Sequence, residues 1–500
     1  MKYLQILPLL FIVFVFGTAH TQSAGSLIPG FGDNGKVITQ NGNYLCAQRA
    51  IADNNGKILV LARINLNPSQ LALSRYLSNG NLDASFGTNG TVITPIKAGQ
   101  LTDLAIQPDG KILVTCQEET FPSGLWVARY LANGALDVAF GMQGIFKSTI
   151  SGSRGTALAT TSEGKIVSVG TLFNASTQGM DIFLTRLLAN GTLDVSFGNN
   201  GSITHDFGAS ELVFEVAIQS DGKIVVFGAS TILPTYSVFR FMANGMPDTN
   251  FGTNGRIVLS QIAPLSWGDL SIQSDGKIVL GGTADNGVGE YQFWVSRLQS
   301  NGNPDPAFGQ NGVAKTNFTS PLKGEALLID PQGRYIVGGE YQPSGSNKQM
   351  ALTRFTPQGV TDVTFGNNGL AIVTFGTGFS ESCLDLTQLS NGHIIAVGCA
   401  QTFPNARTII AGLYPGTSSD VTEPVRIPEF YPNPASDWIY TNGLEDEQLK
   451  LTLTNTDGRV IRQLTVIDGK ISVADLPSGL YYVVCHLPKG NVAYPVTVLR

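Results

Sequence analysis

Five hundred residues exceed what one compact core holds, so several domains or a repeat array are expected. Charged side chains make up only 14% of the chain and Gly alone numbers 58, a balance that suits short strands and tight turns and argues against disorder or a helical bundle. The formal net charge of −6, with no basic cluster, argues against nucleic acid as a partner.

In chain order, residues 1–19 read as a signal peptide. Lys2 gives the positive start, Leu4 to Phe16 is an almost wholly apolar run of 13 residues, and Gly17-Thr18-Ala19 offers small residues for cleavage. A membrane-spanning helix needs roughly 18 to 20 apolar residues, so this run is too short to anchor the chain. The expectation is an exported protein with no transmembrane anchor after cleavage. No Cys lies near the cleavage site for lipid attachment.

From 25 to 416 a phrase Phe-Gly-x-x-Gly recurs seven times, at Phe31, Phe86, Phe140, Phe197, Phe251, Phe308 and Phe365, with a spacing of 54 to 57 residues. Between these marks stands a second phrase, clearest as Gln-Pro-Asp-Gly-Lys-Ile (107–112) and Gln-Ser-Asp-Gly-Lys-Ile (219–224, 273–278). A period of this size marks one supersecondary unit that cannot bury its apolar face alone. The third unit shows four strand-like runs, Gly155–Thr161, Lys165–Gly170, Ile182–Leu188 and Ser202–Thr204, separated by Gly turns. Four antiparallel strands repeated seven times predict a β-propeller. A solenoid would need polar capping units, and the sequence has none.

An Arg and an Asp stand eight residues apart in six units: Arg75/Asp83, Arg129/Asp137, Arg186/Asp194, Arg240/Asp248, Arg297/Asp305 and Arg354/Asp362. The spacing is constant while the surrounding loops vary, which predicts a structural ion pair or a turn-capping Asp in place of a binding site. In the last unit Ala411 falls at the Arg position, and near the start Ile28 falls at the Asp position. Both members are therefore missing, one from each end of the array. That predicts a closed ring of seven blades in which Lys36–Thr39 completes the blade built from 382–414.

Five cysteines (Cys46, Cys116, Cys383, Cys399, Cys485) form no metal-ligand spacing. Cys383 and Cys399 flank the Asn391-Gly392 turn and could face each other as a disulfide across a hairpin; otherwise they are small buried apolar residues.

The repeat resembles the delta-60 repeat of exported bacterial proteins. The matching residues are the Phe-Gly-x-Asn-Gly copies at 86–90, 197–201, 251–255, 308–312 and 365–369, with Asp-Gly-Lys at 109–111 and Arg-Tyr-Leu at 129–131. The resemblance implies a propeller-like fold and no common activity.

Residues 417–429 read as a Gly-, Ser- and Pro-containing linker, and 430–500 as a further domain. Strand-like runs at Trp438–Thr441, Leu449–Asn455, Val460–Thr465, Lys470–Val473, Gly479–His486 and Val492–Leu499 predict a small immunoglobulin-like β-sandwich. This tail resembles the type A C-terminal sorting domain of the type IX secretion system of Bacteroidetes. Tyr431-Pro432-Asn433-Pro434, Asp457-Gly458-Arg459 and the stretch Leu476 to Tyr481, with Gly479 and Tyr481, carry the likeness, as does the final strand, Val496–Arg500. A single Arg500 stands where a more basic tail is usual. The resemblance implies type IX machinery as a partner and a secreted or outer-membrane surface-attached destination.

The expected fold class is thus all-β, a seven-bladed propeller followed by a sandwich. No Ser-His-Asp set, HExxH, P-loop or calcium loop is present, and no catalytic, cofactor or metal residue is expected. His205-Asp206 is peculiar to its unit, and His393 replaces the repeated Lys after a turn. Acids outside the repeated phrases are Glu118, Glu119, Asp181, Glu211, Glu215, Asp285, Glu290, Glu325, Glu340 and Glu381. Variable segments hold Phe121, Trp126, Phe173, Tyr236, Tyr291, Trp294, Tyr341 and Phe403, where exposed rings would stack on sugars. Trp126 and Trp294 begin strands, which favours packing between blades. The function expected is a non-enzymatic binding or scaffold protein with a glycan or protein ligand on variable loops. The alternative is a secreted carbohydrate-active enzyme, which would show two or more acids converging within about 5 to 10 Å.

Overall fold

The computed structural model describes residues 23–39, 45–64, 69–118, 124–208, 210–230, 235–259, 268–285, 291–318, 322–343, 345–402, 405–416, 429–431, 434–442, 450–457, 459–464, 470–487 and 490–499. The signal segment at 1–19 and linker positions 417–428 lie outside them, as do Glu119, Phe121, Glu290, Phe403, Pro432, Asn433 and Gly458. Among the described residues every regular element is a strand, and no helix is long and apolar enough to cross a membrane. The chain forms two compact units, one of residues 22–416 and one that contains 417–500.

In the first unit each blade is an antiparallel meander. The third blade pairs Ser153–Thr160, Ile166–Asn174, Gly179–Leu187 and Ser202–His205 in that order. The 16-residue strand Thr91–Ile106 pairs with Gln70–Tyr76 through its first half and with Ile112–Glu118 through its second. It therefore serves two blades, which appear as one seven-stranded sheet beside five four-stranded ones, so the described residues of this unit make seven blades. The innermost strands pack side to side in sequence, and Ser380–Gln388 returns to Leu45–Ala52, so the ring closes.

The closing blade is built from both ends of the array. Lys36–Thr39 pairs with Asn405–Leu413, which pairs with Ile394–Thr402 and then Ser380–Gln388. Its last hairpin turn is not a continuous chain. In the second blade that turn is held by Gly134 N–H to Leu131 O and Leu131 N–H to Ala135 O; in the closing blade Gly25 donates to Tyr414 O at 2.8 Å and Tyr414 to Ser26 O at 2.9 Å. Two separate segments thus reproduce one turn. Ile28 N–H donates to Gly412 O as Asp137 N–H donates to Arg129 O, so Gly412, not Ala411, stands at the Arg position. The last strand carries no phrase to fix its register, which hid the one-residue offset.

The repeated phrase is the joint between blades. Phe86 is buried, with the Arg75 guanidinium 4.6 Å from its ring centre. Gly134 of the next blade, at φ +89°, lies against the same ring, where a Cβ would come within 3.0 Å. Gly87 N–H donates to Asn133 O at 2.9 Å across the same junction. Apolar clusters fill the space between neighbouring blades, as where Leu61, Leu73 and Phe86 meet Leu104, Val114 and Tyr130. At about 1.5–3 kcal/mol for each large side chain removed from water, such junctions supply most of the cohesion of the ring.

Of the two readings of Cys383 and Cys399, the disulfide across the hairpin does not form, and Cys383 is a buried thiol. Cys399 is bonded to Cys46 of the first blade, with the Cα atoms 5.0 Å apart, while Cys383 and Cys116 are buried thiols. Across the hairpin Cys383 stands opposite Gly398 and Cys399 opposite Ser382, so the two sulfurs are not register partners. The bond joins the closing blade to the first.

The second unit is two sheets. One orders Glu429–Tyr431, Trp438–Asn442 and Lys470–Ser472; the other orders Val460–Leu464, Lys450–Thr454, Gly479–Leu487 and Gly490–Val498. Ile439, Leu451, Leu453, Ile471, Val483 and Val496 share a core between them. Tyr431 pairs with Tyr440, and the Tyr481 hydroxyl donates to Pro477 O at 2.9 Å, beside Gly479 at the strand start.

Candidate functional site

The six Arg–Asp pairs meet as salt bridges of 2.8–3.0 Å from Arg Nε to Asp Oδ2 or, for Arg354, from a terminal nitrogen. The other carboxylate oxygen accepts the N–H two residues on, as Asp83 does from Ser85 at 3.1 Å and Asp305 from Ala307 at 3.0 Å. The Arg terminal nitrogen reaches the next blade: Arg75 donates to Ala132 O, Arg129 to Ala189 O, Arg186 to Ala243 O, Arg240 to Ser300 O and Arg354 to Pro415 O, and Arg297 to Pro357 O at 2.8 Å. All of these groups but the half-buried Asp362 are buried, and each pair is spent on contacts within and between blades.

The chemistry gathers on the innermost strands. Arg49, Asp103, Glu215, Asp269 and Asp385 occupy one register position, each eight residues before the residue that follows the Gly turn (Lys57, Lys111, Lys223, Lys277 and His393). Ala157 and Ala326 fill the same position in the remaining two blades. Arg49 Nε lies 3.3 Å from Asp103 Oδ1, and another guanidinium nitrogen lies 3.4 Å from Glu215 Oε2, which belongs to the fourth blade. One cation thus links the first, second and fourth blades at this level.

The aspartates are held by backbone as well. Asp103 accepts from its neighbour Leu104 N–H at 2.8 Å and from Leu158 N–H of the next blade at 2.9 Å. Asp269 accepts from Leu270 at 2.7 Å and from Leu327 of the next blade at 2.8 Å. Asp385 accepts from Leu386 at 2.8 Å and from Ala50 of the first blade at 2.7 Å. Each carboxylate bridges two blades. Burial pushes Asp385 up to about 7 and Asp269 up to about 6, against the pull of Arg49 and with neighbouring acids adding to the rise. Asp103 is raised by burial, and Glu215 by burial and then by Asp103. Burial opposes the Arg49 charge, but Glu215, Asp103, Asp385 and Asp269 outweigh it and raise its pKa. Four acids gathered around one half-buried guanidinium repel one another, which adds to the burial that raises their pKa values.

Of the acids singled out in the sequence, only Glu215 belongs to this cluster. Glu325 lies 3.1 Å from Lys323, Glu340 lies 2.7 Å from Lys348, and Glu381 Oε1 accepts the Phe375 N–H at 2.6 Å. Asp181 and Glu211 come together elsewhere, with Asp206. Nothing is described of the side chains of Glu118 and Asp285. Of the aromatics on variable segments, few among the described residues reach solvent, and Trp294 packs as its place at a strand start suggested. Tyr236 and Trp294 are buried against each other with centroids 5.5 Å apart, Trp126, Tyr291 and Tyr341 are half-buried, and Phe173 alone of the six is exposed. His205 Nε2 lies 3.0 Å from Gly245 O, and its ring packs 5.3 Å from that of Phe241. Burial lowers its pKa, against the pull of the Gly245 carbonyl. It edges a groove of about 860 Å³ between the third and fourth blades, with Phe207, Met246, Pro247 and Arg256.

The repeat is matched by a family described as a domain of unknown function (DUF5122) β-propeller, over residues 54–86, 162–197, 219–251, 273–308 and 331–365. A second family, the secretion system C-terminal sorting domain, matches residues 429–492. The chain is a β-propeller repeat protein with a type IX sorting domain. That domain makes it a substrate of the type IX machinery and places it outside the cell, secreted or attached to the surface. No curated protein matches the sequence.

Solved structures similar to this propeller protein include a protein of unknown function from Dyadobacter fermentans DSM 18053, 13% identical, covering 77% of this chain and 100% of its own, with a TM-score of 0.38. Another is the β-propeller domain of the Trilobed protease from Pyrococcus furiosus, 9% identical over 74% of this chain and 95% of its own, at 0.41. A third is a polysaccharide lyase of family PL25, an ulvan lyase bound to a glucuronic acid–sulfated rhamnose unit, 10% identical over 75% and 96%, at 0.43. None of the three carries a functional inference for this chain.

Proposed function

We propose that the protein is a non-enzymatic binding or scaffold module, a propeller delivered to the cell exterior by its tail, with a glycan or protein ligand held by variable loops. The observation that carries this reading is the state of the inner-strand acids. Asp103, Asp269 and Asp385 each accept one backbone N–H from their own strand and one from the adjacent blade, and Glu215 is tied to Arg49. Groups held in this way brace the ring and are poorly placed to meet a substrate. In this reading residues 1–19 are a signal peptide, 25–416 the propeller, 417–429 a linker and 430–500 a sorting domain removed or retained at the surface, and the source is a member of the Bacteroidetes. The six Arg–Asp pairs serve the joints between blades.

One observation favours a carbohydrate-active hydrolase or lyase instead. Asp103 and Glu215 converge on one guanidinium, and Asp269 and Asp385 have raised pKa values, as acid–base catalysts often do. Glycan-array binding and polysaccharide turnover, measured on the full-length protein, separate the two. Binding without cleavage supports the scaffold reading. Cleavage that disappears in a folded Glu215→Gln variant overturns it.

A further inference from the structure

Three carboxylates meet at the junction of the third and fourth blades. Asp181 lies on Gly179–Leu187, Asp206 directly follows Ser202–His205, and Glu211 opens the inner strand Glu211–Ile218 of the fourth blade. One oxygen of each lies within 4.8 Å of the others. Like charges at this distance repel, and two of the three are removed from water: Asp181 is 5% exposed and Glu211 0%. Asp181 Oδ2 accepts from Asn174 Nδ2 at 2.8 Å, but its buried Oδ1 has no hydrogen-bond partner. Asp206 is exposed, and its Oδ1 takes the Gly208 N–H at 2.7 Å. Neither Asp181 nor Asp206 forms an ion pair among the described residues.

The cluster is also specific to this junction. Five residues before the repeated Arg, where this blade has Asp181, the other units have Gln70, Gly124, Thr235, Gln292 and Gln349. Glu381 occupies the place of Glu211 in the seventh blade and takes the Phe375 N–H. A joint that the repeat does not require has acquired three acids, one with a dry, unpaired oxygen.

We infer that Asp181, Asp206 and Glu211 form a calcium site that pins the third blade to the fourth. The donors are all oxygen, which selects a hard cation over zinc or copper, and His205 beside them is turned to Gly245 O. Three carboxylates from three separate segments, completed by water through the exposed Asp206 side, suit the flexible coordination of Ca²⁺ better than the strict octahedron of Mg²⁺.

The test is calorimetric titration of chelator-stripped full-length protein with CaCl₂, with MgCl₂ as a parallel arm, followed by thermal unfolding with and without Ca²⁺. The expected result is one Ca²⁺ bound with Kd at or below about 10⁻³ M, the weak end of extracellular sites, and a higher Tm. Asp181→Asn should weaken binding by at least about tenfold and abolish the Tm rise. Its Tm in chelator should equal or exceed that of the wild type, because it relieves the repulsion. If Asp181→Asn fails to fold, Asp206→Asn at the exposed edge carries the same expectation. The proposal is overturned if no Ca²⁺ binds up to about 10 mM, tenfold above that limit. It is equally overturned if the folded variants bind like the wild type, or if Mg²⁺ binds as tightly as Ca²⁺.

Discussion

Replacing Arg49 by Met removes the one cation that Asp103 and Glu215 share while keeping the bulk of the side chain. At 3.3 and 3.4 Å the two ion pairs each contribute about 5 kcal/mol of Coulomb attraction at an effective dielectric of about 20. Most of this is offset by the cost of taking the guanidinium out of water, and breaking such a buried network typically destabilises by about 3–5 kcal/mol. The loss must depend on pH. Asp385 sits at about 7 and Asp269 at about 6 in the folded chain, against 3.8 for an ordinary Asp, so the folded state holds more protons than the unfolded between these values. Stability therefore falls as pH rises from about 4 to 7, by up to about 1.4 kcal/mol per pH unit for each such group. Arg49 relieves the ionised acids, so its removal costs most at pH 7.5 and least at pH 5, where the carboxyls are protonated in the variant. Urea unfolding of the full-length protein, followed through the buried Trp294, reads both effects. An Arg49→Met variant as stable as the wild type, or equally destabilised at both pH values, would mean that Arg49 does not offset the charge of these acids.

Three other outcomes follow from the same contacts. Asp248→Ala leaves Arg240 buried without its 3.0 Å partner and should lower stability by about 3–5 kcal/mol, while Asp248→Ala with Arg240→Met should recover part of that loss in a double-mutant cycle; additive losses would mean the pair is not coupled. Cys46→Ser should lower stability by about 2–5 kcal/mol and reproduce the effect of reducing the wild type, and peptide mapping should recover Cys46 linked to Cys399; a Cys383–Cys399 link would contradict the closure described. Gly134→Ala, at φ +89° with its new methyl against Phe86, should cost at least about 1 kcal/mol by urea unfolding, whereas Gly345→Ala at φ +71° with open space around it pays only the backbone strain.

The strand order and the ring were legible because the joint between blades is made by the same residues each time. Phe, Arg, Asp and two glycines meet at every ordinary junction, so their spacing is written in the chain six times, and its double absence marked the closing blade. The register of that blade was not legible, because Gly412 and Ile28 are joined only by a backbone hydrogen bond and carry no side-chain signature. The Cys46–Cys399 link was hidden for a related reason: it spans 353 residues and depends on closure. The inner-strand cluster failed to appear although its spacing to the Gly turn is constant. The position is Arg in one unit, Asp in three, Glu in one and Ala in two, so a search for repeated residue types passes over it. A search for a repeated position with changing charge would have found it. The aromatics misled, because a ring on a variable segment looks the same in sequence whether it faces solvent, like Phe173, or the next blade, like Tyr236.

The carboxylates of the inner strands join neighbouring blades through the backbone amides they accept. Native-state hydrogen exchange at the amides of Ala50, Leu158 and Leu327 tests it most directly, since these donate across blade junctions to Asp385, Asp103 and Asp269. Exchange only through global unfolding in the wild type, with Ala50 alone of the three released in Asp385→Ala, which leaves no acceptor, is the result expected. Exchange of these amides as fast as exposed loop positions would contradict it.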